Sequence, residues 1–143
     1  MAAAGPLEDT LLAILQVAEG EWVLRFADRD VEASFVEAEQ RLVFTVSIGK
    51  PPAGRELAVY KALLNYNFIW RDTGSVRMAL DGLDEELVML ADLVGAGISA
   101  AAIAAVAVNM AGRAAVWAAI LEAGAPAGEP ASVRLASEAT FRI

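Results

Sequence analysis

A chain of 143 residues is long enough for one domain with one hydrophobic core. Its net charge of −8 and its pI of about 4.5 exclude nucleic acid and anionic membrane surfaces as expected partners, because both would repel it. It contains no histidine and no cysteine, which excludes disulfides, thiolate chemistry, imidazole bases and most zinc or iron sites.

The acidity is concentrated in the first forty residues, where nine carboxylates face only Arg25 and Arg29, a local balance of −7. Any partner steered to this half by charge should therefore be basic. The alternative interpretation is a solvated acidic face that keeps the protein soluble.

The N-terminal pattern predicts a short helix from Leu7 to Ala18, ended by Glu19-Gly20. Asp9 is a candidate N-cap, and apolar residues surround much of the predicted helix, more than a small surface helix needs. The first six residues lack the basic region and long apolar core of a signal peptide, so we expect a cytoplasmic protein.

Three strands of alternating hydrophobicity follow, with turns near residues 28–30 and 39–40. Consecutive hairpins of this kind predict an antiparallel meander. Val23, Val36 and Val43 fall on the face opposite the main apolar rows. Those rows are Trp22, Leu24 and Phe26; Val31, Ala33 and Phe35; and Leu42, Phe44, Val46 and Ile48.

A second helix is predicted over Glu56–Asn67, after a loop at residues 49–54 that contains two prolines and two glycines. Two more strands, Ser75–Leu80 and Leu87–Leu93, flank a polar turn. The helix has one apolar face formed by Leu57, Tyr60 and Leu64, with Val59, Leu63 and Tyr66 beside it, and the first of the two strands has Val76, Met78 and Leu80 on one side.

The alanine-rich run from Gly95 to Leu121 is long enough to cross a membrane, but alanine contributes little to insertion and Arg113 near its middle opposes it. Large residues instead recur at helical spacing, which predicts a core helix. The stripe consists of Ile103, Val106, Met110, Ala114, Trp117 and Leu121.

Residues 1–123 are therefore predicted to form one α+β domain, in the order helix, three strands, helix, two strands, helix. Residues 124–143 are a Gly/Pro/Ala linker and a C-terminal tail. The tail carries Val133, Leu135, Phe141 and Ile143, so we expect it to dock on the domain, as an edge strand or in a partner groove.

No catalytic constellation stands out, and we expect no enzymatic activity, no cofactor and no metal. The acidic cluster at residues 81–86 superficially suggests calcium binding. An EF-hand loop, however, spaces its oxygen ligands over twelve residues between two helices. Here the cluster joins two predicted strands, which favours a hairpin turn.

Three segments resemble the class I chaperones of type III secretion systems, the Tir-chaperone-like family. They are Leu63-Leu64-Asn65, the run Gly74-Ser75-Val76-Arg77-Met78-Ala79-Leu80-Asp81, and Glu86-Leu87-Val88-Met89-Leu90. The resemblance covers roughly residues 7–122 and implies an α+β fold of order α-β-β-β-α-β-β-α, with an antiparallel sheet packed against helices. It also implies a cytoplasmic homodimer that holds the N-terminal segment of a secreted effector in an extended form before export.

The resemblance further places the second helix and the strand after it at a two-fold interface, formed by Leu57, Tyr60, Leu64, Val76 and Met78. Binding an extended peptide requires surplus apolar surface and no reactive group, and hydrophobic residues make up 57% of the chain. The candidate partner-binding residues are Leu11, Leu12, Leu15, Val23, Val36 and Val43.

Two alternatives remain at this point. The first is a dimeric regulatory or adaptor module of similar fold with no secretion role. The second is an enzyme that uses only carboxylate, tyrosine or lysine side chains. Each candidate partner-binding residue could also belong to the core.

Overall fold

The computed structural model describes residues 13–26, 29–73, 75–82 and 85–123. They form six strands and two helices, with strand order β1-β2-β3-β4-β6-β5 in one sheet. This α+β architecture with an antiparallel sheet confirms the predicted fold class. The elements are β1 (Ala13–Ala18), β2 (Glu21–Phe26), β3 (Arg29–Val36), β4 (Arg41–Gly49), α1 (Glu56–Phe68), β5 (Arg77–Leu80), β6 (Leu87–Val94) and α2 (Ala100–Glu122).

The predicted N-terminal helix is wrong over Ala13–Ala18, which is a strand paired antiparallel with β2. Its apolar residues point to both faces, and a short run of that kind cannot be assigned to helix or strand by periodicity alone. The two-residue turn Glu19-Gly20 decides the outcome, because Gly20 takes φ +76°, the left-handed conformation that tight hairpins need. Residues 7–12, with Leu11 and Leu12, lie outside the described residues.

The meander of β2, β3 and β4 matches the prediction. Trp22 pairs with Ala33 and Ala33 with Phe44, so the apolar rows of the three strands share one face. The turn into β4 is made by Gln40, which takes φ +49° and whose backbone and side-chain N–H groups both donate to the carbonyl of Glu37. The register of the three strands determines which residues of β2 to β4 face away from the core.

The chain divides into two units. The first comprises residues 1–46 and 91–112, and the second comprises residues 47–90 and 113–143. In the first unit the buried residues are Leu24, Val31, Ala33, Leu42, Phe44, Val46, Ala91, Ala107, Met110 and Ala111. In the second they include Val59, Leu63, Tyr66, Val76, Met78, Leu87, Met89, Ala114, Trp117 and Leu121.

Within the second unit, Tyr66 of α1 meets Trp117 of α2 edge to face, with ring centroids 5.5 Å apart. The guanidinium of Arg113 donates to the Tyr66 hydroxyl at 3.3 Å and lies 6.0 Å from the ring centroid. Burial raises the pKa of the Tyr66 phenol above its usual value. Arg113, the one charge in the alanine-rich run, thus lies against a buried ring.

By length and hydropathy alone, α2 could also cross a membrane. Of its predicted stripe, Met110, Ala114, Trp117 and Leu121 are buried, while Ile103 and Val106 are half-buried. The predicted linker and tail, residues 124–143, lie outside the described residues.

Candidate partner-binding surfaces

Four predicted partner-binding residues lie on one face of β1 to β4, opposite the buried rows. We call this the outer face. Leu15 pairs with Val23, Ser34 pairs with Val43, and Val36 follows Ser34 by two positions, so strand alternation places all four on the same side. Val23 and Val43 are half-buried, while Leu15 is 47% exposed and Val36 is 36% exposed. An exposed aliphatic patch of this kind suits a partner.

A cavity of about 260 Å³ lies at the centre of the outer face, and we call it the outer groove. Its lining mixes aliphatic side chains with carboxylates and hydroxyls. Val17 lies two positions after Leu15 on β1, so strand alternation places it on the same face. The lining residues are Val17, Glu21, Trp22, Val23, Glu32, Ala33, Ser34, Val43 and Thr45.

The cations of the outer face are already bound to other carboxylates. Arg25 donates to Asp30 at 2.8 Å, and this bond lowers the pKa of the Asp30 carboxyl. Arg41 is bonded to Glu39 and to Asp92. The outer groove therefore keeps a negative character.

Neither carboxylate that lines the outer groove, Glu21 or Glu32, forms an ion pair or side-chain hydrogen bond within the described residues. Both side chains are exposed. They remain available to a positively charged group.

A second cavity, of about 240 Å³, opens on the inner face of the same strands and is lined by apolar side chains alone. Ile14 of β1 is 61% exposed beside it. The sequence does not single out this cavity, since its residues read as ordinary core positions. They are Ile14, Trp22, Leu24, Ala33, Phe35, Leu42, Ile98 and Ile103.

The two edge strands differ in what their outer edges offer. All six residues of β1 are exposed, and no described strand pairs with its outer edge. At β5, by contrast, Asn67 bonds both the N–H of Met78, at 2.8 Å, and its carbonyl, at 2.7 Å, while the Thr73 hydroxyl donates to the carbonyl of Val76. Backbone groups free to pair with another strand are therefore expected at β1.

Helix α1 carries an exposed apolar stripe on the side away from its buried residues. We call Leu57, Leu64 and Phe68 the α1 stripe; they are 68%, 65% and 83% exposed. Tyr60, half-buried, flanks it. Phe68 lies four residues after Leu64 on the same face, a spacing the sequence contains but the predicted interface omits.

The other two predicted interface residues belong to the core. Val76 is 1% exposed and Met78 is 3% exposed, so their side chains face inward. A partner approaching β5 from outside would instead meet Arg77, which is exposed, and Leu80, which is 38% exposed.

The acidic cluster predicted as a hairpin turn joins β5 to β6. The Asp81 N–H donates to the Glu86 carbonyl at 2.8 Å, which closes the turn. Within the described part of the chain, no group of three or more carboxylates lies close enough to hold a metal ion.

Among the described residues, the sheet has an exposed, partly acidic face and an edge strand, β1, whose outer edge no described strand covers. Residues 10–118 match the model of the Tir chaperone protein (CesT) family, and the chain belongs to that family. The chain is thus a chaperone by family, and the predicted resemblance is confirmed.

Solved structures share this fold. The heterodimeric ExoU–SpcU complex from the type III secretion system of Pseudomonas aeruginosa is similar at 22% identity and TM-score 0.56, with 78% of this chain and 83% of that chain covered. The HopA1–SchA chaperone–effector complex is similar at 11% identity and TM-score 0.59, with 81% and 92% covered.

YbjN of E. coli, described as a putative transcription regulator, is also similar, at 17% identity and TM-score 0.51, with 83% of this chain and 88% of that chain covered. The fold alone therefore does not identify the function, and the assignment as a chaperone rests on the family match. No curated protein sequence matches the chain.

Proposed function

We propose that this protein is a type III secretion chaperone that binds the N-terminal segment of a secreted effector in non-globular form, in the cytoplasm and as a homodimer. Family membership supports the chaperone role. The single observation that supports the binding mode is the aliphatic patch of the outer face, which lies beside the open edge of β1.

An extended segment suits this surface for two physical reasons. One part of the segment can pair its backbone with the outer edge of β1, beside Leu15, and a further part can lie across the outer face over Val23 and Val43. A segment held in this way gives up its own tertiary structure, which is the export-competent form. Binding alone accomplishes this, so the activity requires no chemical step.

The homodimer rests on the α1 stripe. Three large apolar residues exposed side by side on one helix face form an apolar patch of the kind that marks a protein–protein contact. A two-fold axis would bring this stripe from two copies together and bury it. Val76 and Met78 lie behind this surface in the core and support it without contacting the second copy.

The function is tested by affinity purification of the tagged chain from its own host, followed by identification of the retained protein and binding of its fragments. We expect one secreted protein, retained through its N-terminal region. The double variant V23D/V43D should lose that protein, because two carboxylates would be buried under an apolar segment.

The matched control is V108D/V116D, which places the same substitutions at exposed valines of α2. Both variants should keep the wild-type circular dichroism spectrum. Equal loss in both variants, or retention through the C-terminal part of the captured protein, would contradict the proposal.

A further inference from the structure

We propose that the outer groove selects effector segments in which a small aliphatic residue and a lysine or arginine occupy successive inward positions, in the pattern aliphatic-x-basic. This inference rests on the proposed function and specifies the chemistry of its partner. It concerns the outer groove alone.

The register of the sheet sets the spacing between the aliphatic and the acidic side chains of the outer groove. Val23 lies directly opposite Glu32, and Glu21 lies directly opposite Ser34, which in turn faces Val43. An acidic and an aliphatic position therefore follow each other along β2, and across the sheet Val23 faces Glu32 at about 4.5–5.5 Å, while Ser34 separates Glu21 from Val43.

An extended peptide has a matching period. It presents one side chain to the same face every second residue, a repeat of about 6.6–6.8 Å. Glu21 and Val23, two positions apart on β2, have that same repeat. A segment lying along β2 would thus place one inward side chain over Val23 and the next beside Glu21.

The charge of the outer groove determines which side chain is favoured beside Glu21. Glu21 and Glu32 have no cation within the described residues, because Arg25 is bonded to Asp30 and Arg41 to Glu39 and Asp92. An acidic side chain would be repelled there, and a neutral one would leave both carboxylates unpaired. Lysine or arginine gains a charge-assisted hydrogen bond.

Other occupants fit less well. The cavity of about 260 Å³ is smaller than the roughly 300–1,000 Å³ of small-molecule sites. A metal ion would require a third ligand, and no such cluster exists among the described residues. A second copy of this chain would carry its own charge of −8 into an acidic groove.

The test uses the full-length protein and three synthetic nine-residue peptides labelled with fluorescein. Threonine occupies the outward positions of each, and valine alternates with lysine, glutamate or serine at the inward positions. Anisotropy titrations at ~0.01 M ionic strength, where the Debye length is about 30 Å, should give a Kd for the lysine peptide at least about ten-fold below that of the glutamate peptide. Equal affinities would overturn the inference.

Two variants with the same change in net charge distinguish the effect of the groove carboxylates from the effect of the protein's overall negative charge. E21Q/E32Q should weaken the lysine peptide to the level of the serine peptide. E85Q/E122Q removes two exposed carboxylates that do not line the groove. At ~0.15 M ionic strength, where the Debye length is about 8 Å, it should leave the Kd within about two-fold of wild type, because salt screens exposed charges outside the binding site. Equal weakening by both variants would overturn the inference.

A failure of this inference can be distinguished from a failure of the proposed function. If an effector fragment is retained by V108D/V116D and lost by V23D/V43D, yet the lysine peptide shows no preference, the inference fails and the chaperone role stands. If the peptide preference is found but no secreted protein is retained, the groove chemistry stands and the proposed function fails.

Discussion

Asn67 closes the outer edge of β5. Its side-chain amide donates to the carbonyl of Met78 and accepts from the N–H of the same residue, as a neighbouring strand would. The Thr73 hydroxyl makes a similar bond to Val76 one strand repeat earlier. Two side chains therefore satisfy an edge that would otherwise invite pairing with another chain.

Replacing Asn67 by alanine should lower the free energy of unfolding by about 1–3 kcal/mol, because the Met78 N–H and carbonyl would lose their partners in a partly buried place. Urea denaturation measures this change. Asn65→Ala is the matched control, since Asn65 is exposed on the same helix. Asn65→Ala should not lower the free energy of unfolding, since alanine has the higher helix propensity. A loss of similar size in both variants would contradict the role of the β5 edge.

Tyr66 should make the protein sensitive to alkali. Burial raises the pKa of its phenol above the ordinary value of 10.0, so above pH 10 the unfolded chain loses that proton before the folded one. Stability is therefore unaffected below the unfolded pKa and falls as the pH rises above it.

The check compares wild type with Tyr66→Phe in urea unfolding at pH 8 and at pH 11. At pH 8 the variant should lose about 0.5–1.5 kcal/mol with the bond from Arg113. Its further loss between pH 8 and pH 11 should be smaller than that of wild type. Identical losses would mean that Tyr66 does not couple folding to protons.

At the scale of elements, β1 shows where the sequence is a poor guide. A short apolar run with no clear periodicity is compatible with both a strand and a helix, and residues 13–18 form such a run. Strands β2 to β4 have regular alternation and turn residues at their ends, and they were predictable for that reason. The hairpin geometry at Gly20 is what separates the two cases.

The β1 hairpin should depend on Gly20 for its conformation and not for space, because a Cβ there would lie 3.7 Å from the nearest atom, the Phe35 carbonyl oxygen. Gly20→Val should weaken the hairpin by about 1–2 kcal/mol, since a β-branched residue resists φ +76°. Amide hydrogen exchange at residues 13–18 measures the change.

Gly20→Asn is the control, because asparagine adopts left-handed conformations more readily. It should retain most of the protection against exchange. Equal protection in wild type and Gly20→Val would contradict the role assigned to this turn.

The outer groove was predictable only in part. Strand alternation identifies Val23, Val36 and Val43 from the sequence, and the structure places them on the predicted face. The groove itself depends on which residues of neighbouring strands face each other and on which arginines are already paired, and neither can be read from residue spacing. Long-range register had to be known first.

Helix α1 should mediate self-association through its stripe. L64D/F68D should convert a dimer into a monomer, since each substitution would place a carboxylate in an apolar contact. Multi-angle light scattering at micromolar concentration measures this directly. V108D/V116D should remain dimeric, and a monomeric wild type would refute the dimer.

At the scale of the whole molecule, the dominant electrostatic effect is self-repulsion from a net charge of −8. The ion pairs Arg25–Asp30, Arg41–Glu39 and Arg41–Asp92 are partly exposed, so each of them offsets little of this repulsion. The type III chaperone assignment fits such a chain, and its prediction rested on the resemblance of residues 63–65, 74–81 and 86–90 to the family. Composition alone indicated only a binding protein.

Salt should therefore stabilise the fold. Raising the ionic strength from ~0.01 M to ~1 M shortens the Debye length from about 30 Å to about 3 Å, and the melting temperature should rise by several degrees. E85Q/E122Q, with two fewer negative charges, should show a smaller rise. A melting temperature that falls with salt would mean that attractive pairs dominate.

The closed edge at β5 also limits stoichiometry. A sheet with two open edges can add strands at both sides and grow without end, whereas here the bonds from Asn67 and Thr73 oppose a new strand beside Met78 and Val76, which favours addition at β1. Two copies joined through α1 would then offer two acceptor edges in total. The expected complex is finite, with one effector strand for each chaperone chain, and it resists the fibrous assembly that exposed strand edges promote.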